Sequence, residues 1–353
     1  MTVLLIVDSS ASRDGGGLLL YELFYNYLRL SPQNERSFRV LSLYRDEKSE
    51  LEKAEFSLST SQFRKQYKAI IEPYERIIVI CSGFRGYRIK TDKKFQKIFW
   101  VHNLLPWIHI GKKFDFYTRL KFFVMRFYLN SNIRGSAFVV HTSHWSQQIL
   151  EKKFPGCTHV VVRNPVSDFW FDRLPLAPAP RYPETANIVV TGTFLHHKCH
   201  VEILAYLNKL SSLGFPMKVI AVGGAPSASF LKKLKSISSR FYFLDIDFRV
   251  GLKPDELKII YLRSDLVIVP SRVEAGSITL AEVLALRRRL ICSDIPSFRE
   301  VVNQDFLFSN DSFSSFKKTF FHALEADVSY KAESQPRVSQ AFGLFLKSVG
   351  LKL

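Results

Sequence analysis

The sequence is short of several things, and each shortage removes a class of explanation. Its 353 residues hold four cysteines, Cys81, Cys157, Cys199 and Cys292, which lie far apart and form no CxxC pair or metal-ligand spacing. That excludes a disulfide framework and fits a reducing cytosol in which thiols act as small core residues. No apolar run approaches the roughly 18 residues needed to span a bilayer. The opening residues, MTVLLIVDSS, lack a basic leader and their apolar run ends at Asp8, so they read as a first strand and not as a signal peptide. Carboxylates are in the minority, 32 Asp+Glu against 50 Lys+Arg, for a formal net charge of +18. No nucleic-acid motif and no platform of interleaved aromatic and basic residues accompanies that charge, so specific nucleic-acid binding is not expected.

What is present is enough for two domains. The chain is 47% hydrophobic and 23% charged, as in an ordinary globular protein with full cores. The basic excess is uneven. Residues 1–166 carry 26 basic against 14 acidic side chains, and 85–134 carry 12 against 2. Such a field attracts polyanions, acidic lipid head groups and phosphorylated lipid carriers among them; a merely solubilising surface is the alternative.

The most informative stretch is Asp265–Val302. Leu266–Val269 is a short apolar run suited to a strand buried on both faces, stopped by Pro270-Ser271. Glu274-Ala275-Gly276-Ser277 makes a turn, Ile278–Leu286 has helical spacing, and Leu290–Cys292 is a second strand. This is a βαβ unit of a parallel sheet. Glu274 falls at the strand's carboxyl end, where open α/β sheets bind ligands. Gly276, Ser277 and Ile278 open a helix whose first N–H groups would face an anion. Glu282 lies in its second turn. Two carboxylates flanking N–H donors would suit a ligand with hydroxyls at both ends and phosphate between them. On spacing alone, Glu274 as a helix cap and Glu282 as a solvated side chain explain the pattern nearly as well.

The rest of the chain alternates strands and helices. Strands are expected at Thr2–Val7, Phe38–Tyr44, Arg76–Cys81, Lys97–Val101, Ala137–His141, Val160–Val162, Asn187–Val190, Met217–Val222 and Phe241–Leu244. After the first strand, a loop ends in Gly15-Gly16-Gly17 and a helical run follows over Leu18–Leu30, which would bring backbone N–H groups close to a ligand. His102 lies just past a strand end. Gly192 and Lys198 follow another, and a cation just before a helix start suits a diphosphate; a solvated lysine and a loop-fixing histidine are the plain alternatives. Gly223 and Gly224 end the strand Met217–Val222. In Lys112–Arg134, Phe116, Leu120, Phe123, Val124, Phe127 and Tyr128 recur at helical spacing amid Lys112, Lys113, Arg119, Lys121 and Arg126. A helix docked on the core with a solvated basic face is the first expectation, and a basic aromatic surface lying on anionic lipid the second.

The Asp265–Val302 stretch resembles the donor-binding signature of the family 4 retaining glycosyltransferases (glycosyl transferases group 1, GT-B fold). The matching residues are Pro270-Ser271, Glu274, Gly276-Ser277, Glu282, Ser293-Asp294-Ile295-Pro296 and Glu300-Val301. The turn departs from the usual Gly-Phe-Gly. Arg163-Asn164-Pro165-Val166 is similar to the turn closing the family's first domain. Lys198 matches a family lysine, while Thr193 stands where the family has an arginine, with His197 or Arg272 as candidate substitutes.

The resemblance implies an α/β fold of two Rossmann-like doubly wound domains facing across a cleft: 1–170 for the acceptor, a proline-rich linker at 171–185, 186–333 for the nucleotide sugar, and 334–353 as a helix crossing back to the first domain. It implies a hexosyltransferase-type, retaining, metal-independent transfer from a nucleotide diphosphate sugar to an acceptor hydroxyl, in surface polysaccharide or glycolipid synthesis. Glu274, His102 and Lys198 would be catalytic. Gly15, Gly16, Gly17, Gly192, Gly223, Gly276, Ser277, Ile278 and Glu282 would bind substrate. No cofactor is expected beyond the donor itself, and no Asp-x-Asp metal motif is placed at the cleft. The acceptor would be a glycan or lipid-linked, the location cytoplasmic, with peripheral contact to the anionic inner face of the membrane. The alternative is a non-catalytic glycosyltransferase-like subunit that binds a sugar nucleotide or scaffolds an assembly.

Overall fold

The computed structural model describes residues 3–8, 38–44, 57–81, 95–108, 116–172, 184–224, 228–326 and 336–350. The chain divides into two units, Met1–Pro165 with Pro336–Leu353, and Val166–Gln335. The expected helix at Leu18–Leu30, the glycines Gly15, Gly16 and Gly17, and most of the proline-rich stretch lie outside the described residues.

In chain order the first unit contains β1 (Val3–Asp8), β2 (Phe38–Tyr44), β3 (Ser57–Ser59), α1 (Thr60–Ile71), β4 (Arg76–Cys81), β5 (Phe95–Val101), α2 (Phe116–Arg134), β6 (Phe138–His141), α3 (His144–Glu151) and β7 (Thr158–Val161). The strands form one sheet in the order β3-β2-β1-β4-β5-β6-β7, and every pairing is parallel. Continuous apolar runs build it: Leu4, Leu5, Ile6, Ile77, Ile78 and Ile80 are fully shielded, as strands covered on both faces must be.

The second unit contains β8 (Ala186–Thr191), α4 (His200–Ser212), β9 (Met217–Gly223), α5 (Ala228–Ser238), β10 (Ile246–Val250), α6 (Pro254–Arg263), β11 (Leu266–Val269), α7 (Ile278–Ala285), β12 (Leu290–Ser293), α8 (Pro296–Arg299), β13 (Leu307–Phe308) and α9 (Phe313–Glu325). Its order, β10-β9-β8-β11-β12-β13, repeats the doubly wound pattern, again with parallel pairings. The winding reverses between β8 and β11, the switch point at which such sheets bind ligands beyond their carboxyl ends.

The last helix, α10 (Val338–Ser348), belongs to the first unit. Ala341, Phe342, Phe345, Leu346 and Val349 recur at helical spacing and pack with Val3, Leu5, Ile78, Ile98 and Trp100. Phe345 lies 5.0 Å, ring to ring, from Trp100.

Three expectations need correction. Phe241–Leu244 is a turn, with Tyr242 92% exposed, and the strand is β10, which starts five residues on. As an edge strand β10 needs only one apolar face, so Ile-Asp-Phe-Arg-Val pairs where the more aromatic run does not. The division between units falls at 165/166 instead of within 171–185, because Val166 and Trp170 pack into the second core. In α2, Leu120, Phe123, Val124, Phe127 and Tyr128, expected to dock on the core, are exposed, while Leu129, Asn132 and Ile133 are buried.

Candidate active site

The two loops that leave the second sheet at its switch point carry most of the chemistry. The first begins at Gly192, whose φ of +140° is a conformation that side chains rarely adopt. Its N–H donates to the Val222 carbonyl at 3.0 Å, and the Phe194 N–H donates to the Gly224 carbonyl at 2.8 Å. A Cβ on Gly223 would stand 2.0 Å from the Gly192 carbonyl oxygen. Gly223 therefore has a packing reason to be glycine, independent of any ligand. Past Phe194 the chain makes a single 3-10 turn, His196–Lys198, then Cys199 in the left-handed region, and enters α4.

The second loop follows β11. Ser271 is pinned on both sides: its N–H donates to Ser293 Oγ at 2.7 Å, and its carbonyl accepts from Asn310 Nδ2 at 3.0 Å. Ser293 Oγ in turn donates to Asn310 Oδ1 at 2.9 Å. This buried triangle leaves the Ser271 hydroxyl free to donate to Oε1 of Glu274 at 2.7 Å. Lys198 Nζ meets the same oxygen as an ion pair, the two side chains only 16% and 12% exposed. The Arg272 N–H adds a backbone tie to the His197 carbonyl at 2.8 Å. Glu274 is thus an oriented carboxylate beside an ammonium, not a helix cap. Because an ammonium has three protons, Lys198 can hold Glu274 and an incoming anion together.

The cap of α7 is Ser277, whose Oγ accepts from the Leu280 N–H at 3.2 Å. The cap uses an oxygen lone pair and leaves the O–H proton able to donate. The N–H groups of Ile278 and Thr279 have no intrahelical partner, and they point out of the helix start. Thr279 follows once the cap is located at Ser277, which the turn's departure from the usual Gly-Phe-Gly conceals in the sequence.

Glu282 is 8% exposed, and burial pushes its carboxyl up to about 8. It stands close enough to buried Tyr261 for its charge, after burial itself, to raise the phenol further. The Tyr261 hydroxyl pairs with Thr191 Oγ1 at 2.6 Å, at the end of β8. The structure therefore replaces the solvated reading of Glu282 with a buried carboxyl that is neutral at pH 7 until something favours its charge.

Neither candidate for the missing guanidinium is available as a cation. Arg272 binds Glu202 at 2.9 Å and Asp311 at 3.0 Å. His197 is held down to about 4, chiefly by burial, then by the Lys198 charge, with Glu274 opposing. Lys198 is left as the cation of these loops. In the first unit, His102 follows β5 and stacks parallel to Trp100 at 6.2 Å. Burial lowers it to about 4, so its imidazole is neutral.

Sequence reasoning singled out Lys198, Glu274 and Ser277, and these converge on two adjacent loops. It missed Asn310, a lone polar residue far along the chain with no local pattern to mark it.

Residues 177–331 match the family model described as Glycosyl transferases group 1. A search of curated proteins returns no match. Among solved structures, sucrose-phosphate synthase from Thermosynechococcus elongatus superposes with a TM-score of 0.68 at 14% identity, covering 99% of this chain and 96% of that one. Anabaena HepE in complex with UDP and glucose gives 0.67 at 13%, covering 98% and 99%. The lipopolysaccharide outer core galactosyltransferase WaaB in its apo form gives 0.67 at 15%, covering 99% of each. At such identities the likeness speaks to fold, and it spans both units. Residues 177–331 thus resemble a glycosyl transferases group 1 domain, carried in a chain with the GT-B fold.

Proposed function

We propose that this protein is a retaining, metal-independent glycosyltransferase that moves a sugar from a nucleoside diphosphate sugar to an acceptor hydroxyl. The observation that carries the reading is the Lys198–Glu274–Ser271 cluster at the carboxyl edge of the second sheet, beside the start of α7. The similar HepE structure holds UDP and glucose, and a uridine donor is accordingly the first to try.

Each group has a distinct task. Lys198 and the α7 N–H groups take up the negative charge that grows on the departing diphosphate as the sugar–oxygen bond breaks. Glu274, held by Ser271 and Lys198, favours the positive charge that grows at the anomeric carbon. Glu282 accepts from the ribose hydroxyls, which stabilise its charged form and lower its affinity for a proton. His102, neutral, can both accept from and donate to sugar hydroxyls. The acceptor is a glycan or a lipid-linked sugar, in surface polysaccharide or glycolipid synthesis, a reading supported by the similarity to a lipopolysaccharide galactosyltransferase.

A second reading is favoured by one observation. With Thr193 in place of the arginine, Arg272 engaged and His197 neutral, Lys198 is the one cation of the two described loops left for a diphosphate. A subunit that binds a sugar nucleotide without turning it over would tolerate that. Calorimetric titration with uridine and guanosine diphosphates, followed by assay of donor hydrolysis and transfer, separates the two: binding without turnover selects the second reading.

A further inference from the structure

We infer that the exposed face of α2 is a docking surface for anionic lipid. The helix is apolar on two opposite sides. One side is fixed to its own unit: Leu129 and Ile133 are buried, Lys97 donates to Asn132 Oδ1 at 2.9 Å, and the Trp107 indole donates to Asn130 Oδ1 at 2.8 Å. The other side carries Leu120, Phe123, Val124, Phe127 and Tyr128, at steps of three and four, with exposures of 48%, 61%, 46%, 69% and 41%. Five large apolar side chains in one stripe are far more than the scattered exposure of an ordinary surface.

The charges around the stripe say what covers it. Arg119 and Lys121 lie at its two margins on the helical wheel, and the Arg126 guanidinium stands 5.6 Å above the Phe123 ring. The helix has four cations and no carboxylate. Lys153 adds a fifth cation nearby, its ammonium penalised by burial and by the charge of Arg126. Crowded like charges on a helix that itself has no carboxylate are relieved by an external anion. A second copy of the same face would bring cations against cations. A bilayer with acidic head groups supplies both an apolar layer for the rings and negative charge for the flanking cations, which can reach it from the ends of long apolar stems. No described helix is long and apolar enough to cross a membrane, so the helix would lie in the interface.

This deepens the lipid-linked part of the reading above, and vesicle binding without any donor tests it apart from turnover. The full-length protein is sedimented with phosphatidylcholine vesicles, plain or with about one third phosphatidylglycerol. Binding is expected only to the anionic vesicles, and it should weaken as salt rises. The pair Phe123→Ser and Phe127→Ser should lower it at least about tenfold by removing buried rings. The triple change of Arg119, Lys121 and Arg126 to Gln should lower it by about a hundredfold or more, from about 1 kcal/mol per cation. Circular dichroism verifies that each variant is folded. Equal partition to neutral vesicles, no partition at all, or unchanged binding by the Phe pair would each overturn the inference. So would a dimer in sedimentation equilibrium that the Phe pair dissociates.

Discussion

The Gly192 carbonyl and Gly223 Cα are in such close contact that a Cβ on Gly223 would lie 2.0 Å from the carbonyl oxygen. The carboxyl ends of β8 and β9 therefore pack backbone against backbone, and the loop that carries Lys198 starts from that contact. Gly223→Ala must displace backbone. It is expected to cost about 1–3 kcal/mol or more in stability, with a fall in Tm visible by calorimetry and weaker nucleotide binding. Gly224→Ala, whose added methyl would meet only the Thr193 methyl at 3.9 Å, should leave Tm nearly unchanged.

The buried Glu282 makes stability and binding depend on pH in opposite directions. Its carboxyl in the folded protein titrates at about 8, against 4.5 for the ordinary group. Between those values the folded state binds the extra proton, so stability falls as pH rises from about 4.5 to about 8 and is flat above. Glu282→Gln removes that slope and should raise Tm at pH 8.5 relative to the wild type. Binding of a ribose nucleotide, which needs the carboxylate, should strengthen as pH rises toward 8 and release close to one proton at pH 6.5. Calorimetry in buffers of different ionisation enthalpy reads that proton directly. No proton release would remove Glu282 from the ribose.

Thr193 can be tested by giving the loop its missing charge. Thr193→Arg is expected to tighten nucleoside diphosphate binding about tenfold, from a charge-assisted bond of roughly 1.5–3 kcal/mol less the cost of ordering the side chain. It should leave nucleoside binding unchanged. Equal effects on diphosphate and nucleoside would mean that position 193 does not face the phosphates.

Arg272 is expected to act on the loop and not on the ligand. It joins Glu202 of α4 to Asp311 across the base of the site, and its N–H ties the loop after β11 to His197. Arg272→Ala leaves two carboxylates without their cation while that backbone tie stays. Tm should fall, and affinity for uridine and for uridine diphosphate should change by the same factor.

How much of this was legible in the sequence follows from how local each signal is. The βαβ unit around Glu274 reads directly, because Leu266–Val269 and Leu290–Cys292 are short apolar runs closed by turn residues. The strand β10 does not, since an edge strand buries one face and its Ile-Asp-Phe-Arg-Val is a weaker pattern than the aromatic turn before it. The state of Glu282 was hidden because it depends on burial beside Tyr261 of α6, which the spacing of α7 says nothing about. Asn310 closes a hydrogen-bonded triangle with Ser271 and Ser293 that exists only once three segments meet. The exposed stripe on α2 looked like a core face because apolar periodicity gives a side's character, not what lies against it.

The central claim is that Glu274 and Lys198 form a catalytic pair, and turnover of a uridine diphosphate sugar by the wild type and by Glu274→Ala and Lys198→Ala tests it most directly. Hydrolysis or transfer should be measurable in the wild type and fall about 10²–10³-fold in each variant, the scale of losing one electrostatic contact to a transition state, with both variants folded by circular dichroism. Undiminished turnover in both variants would contradict the assignment.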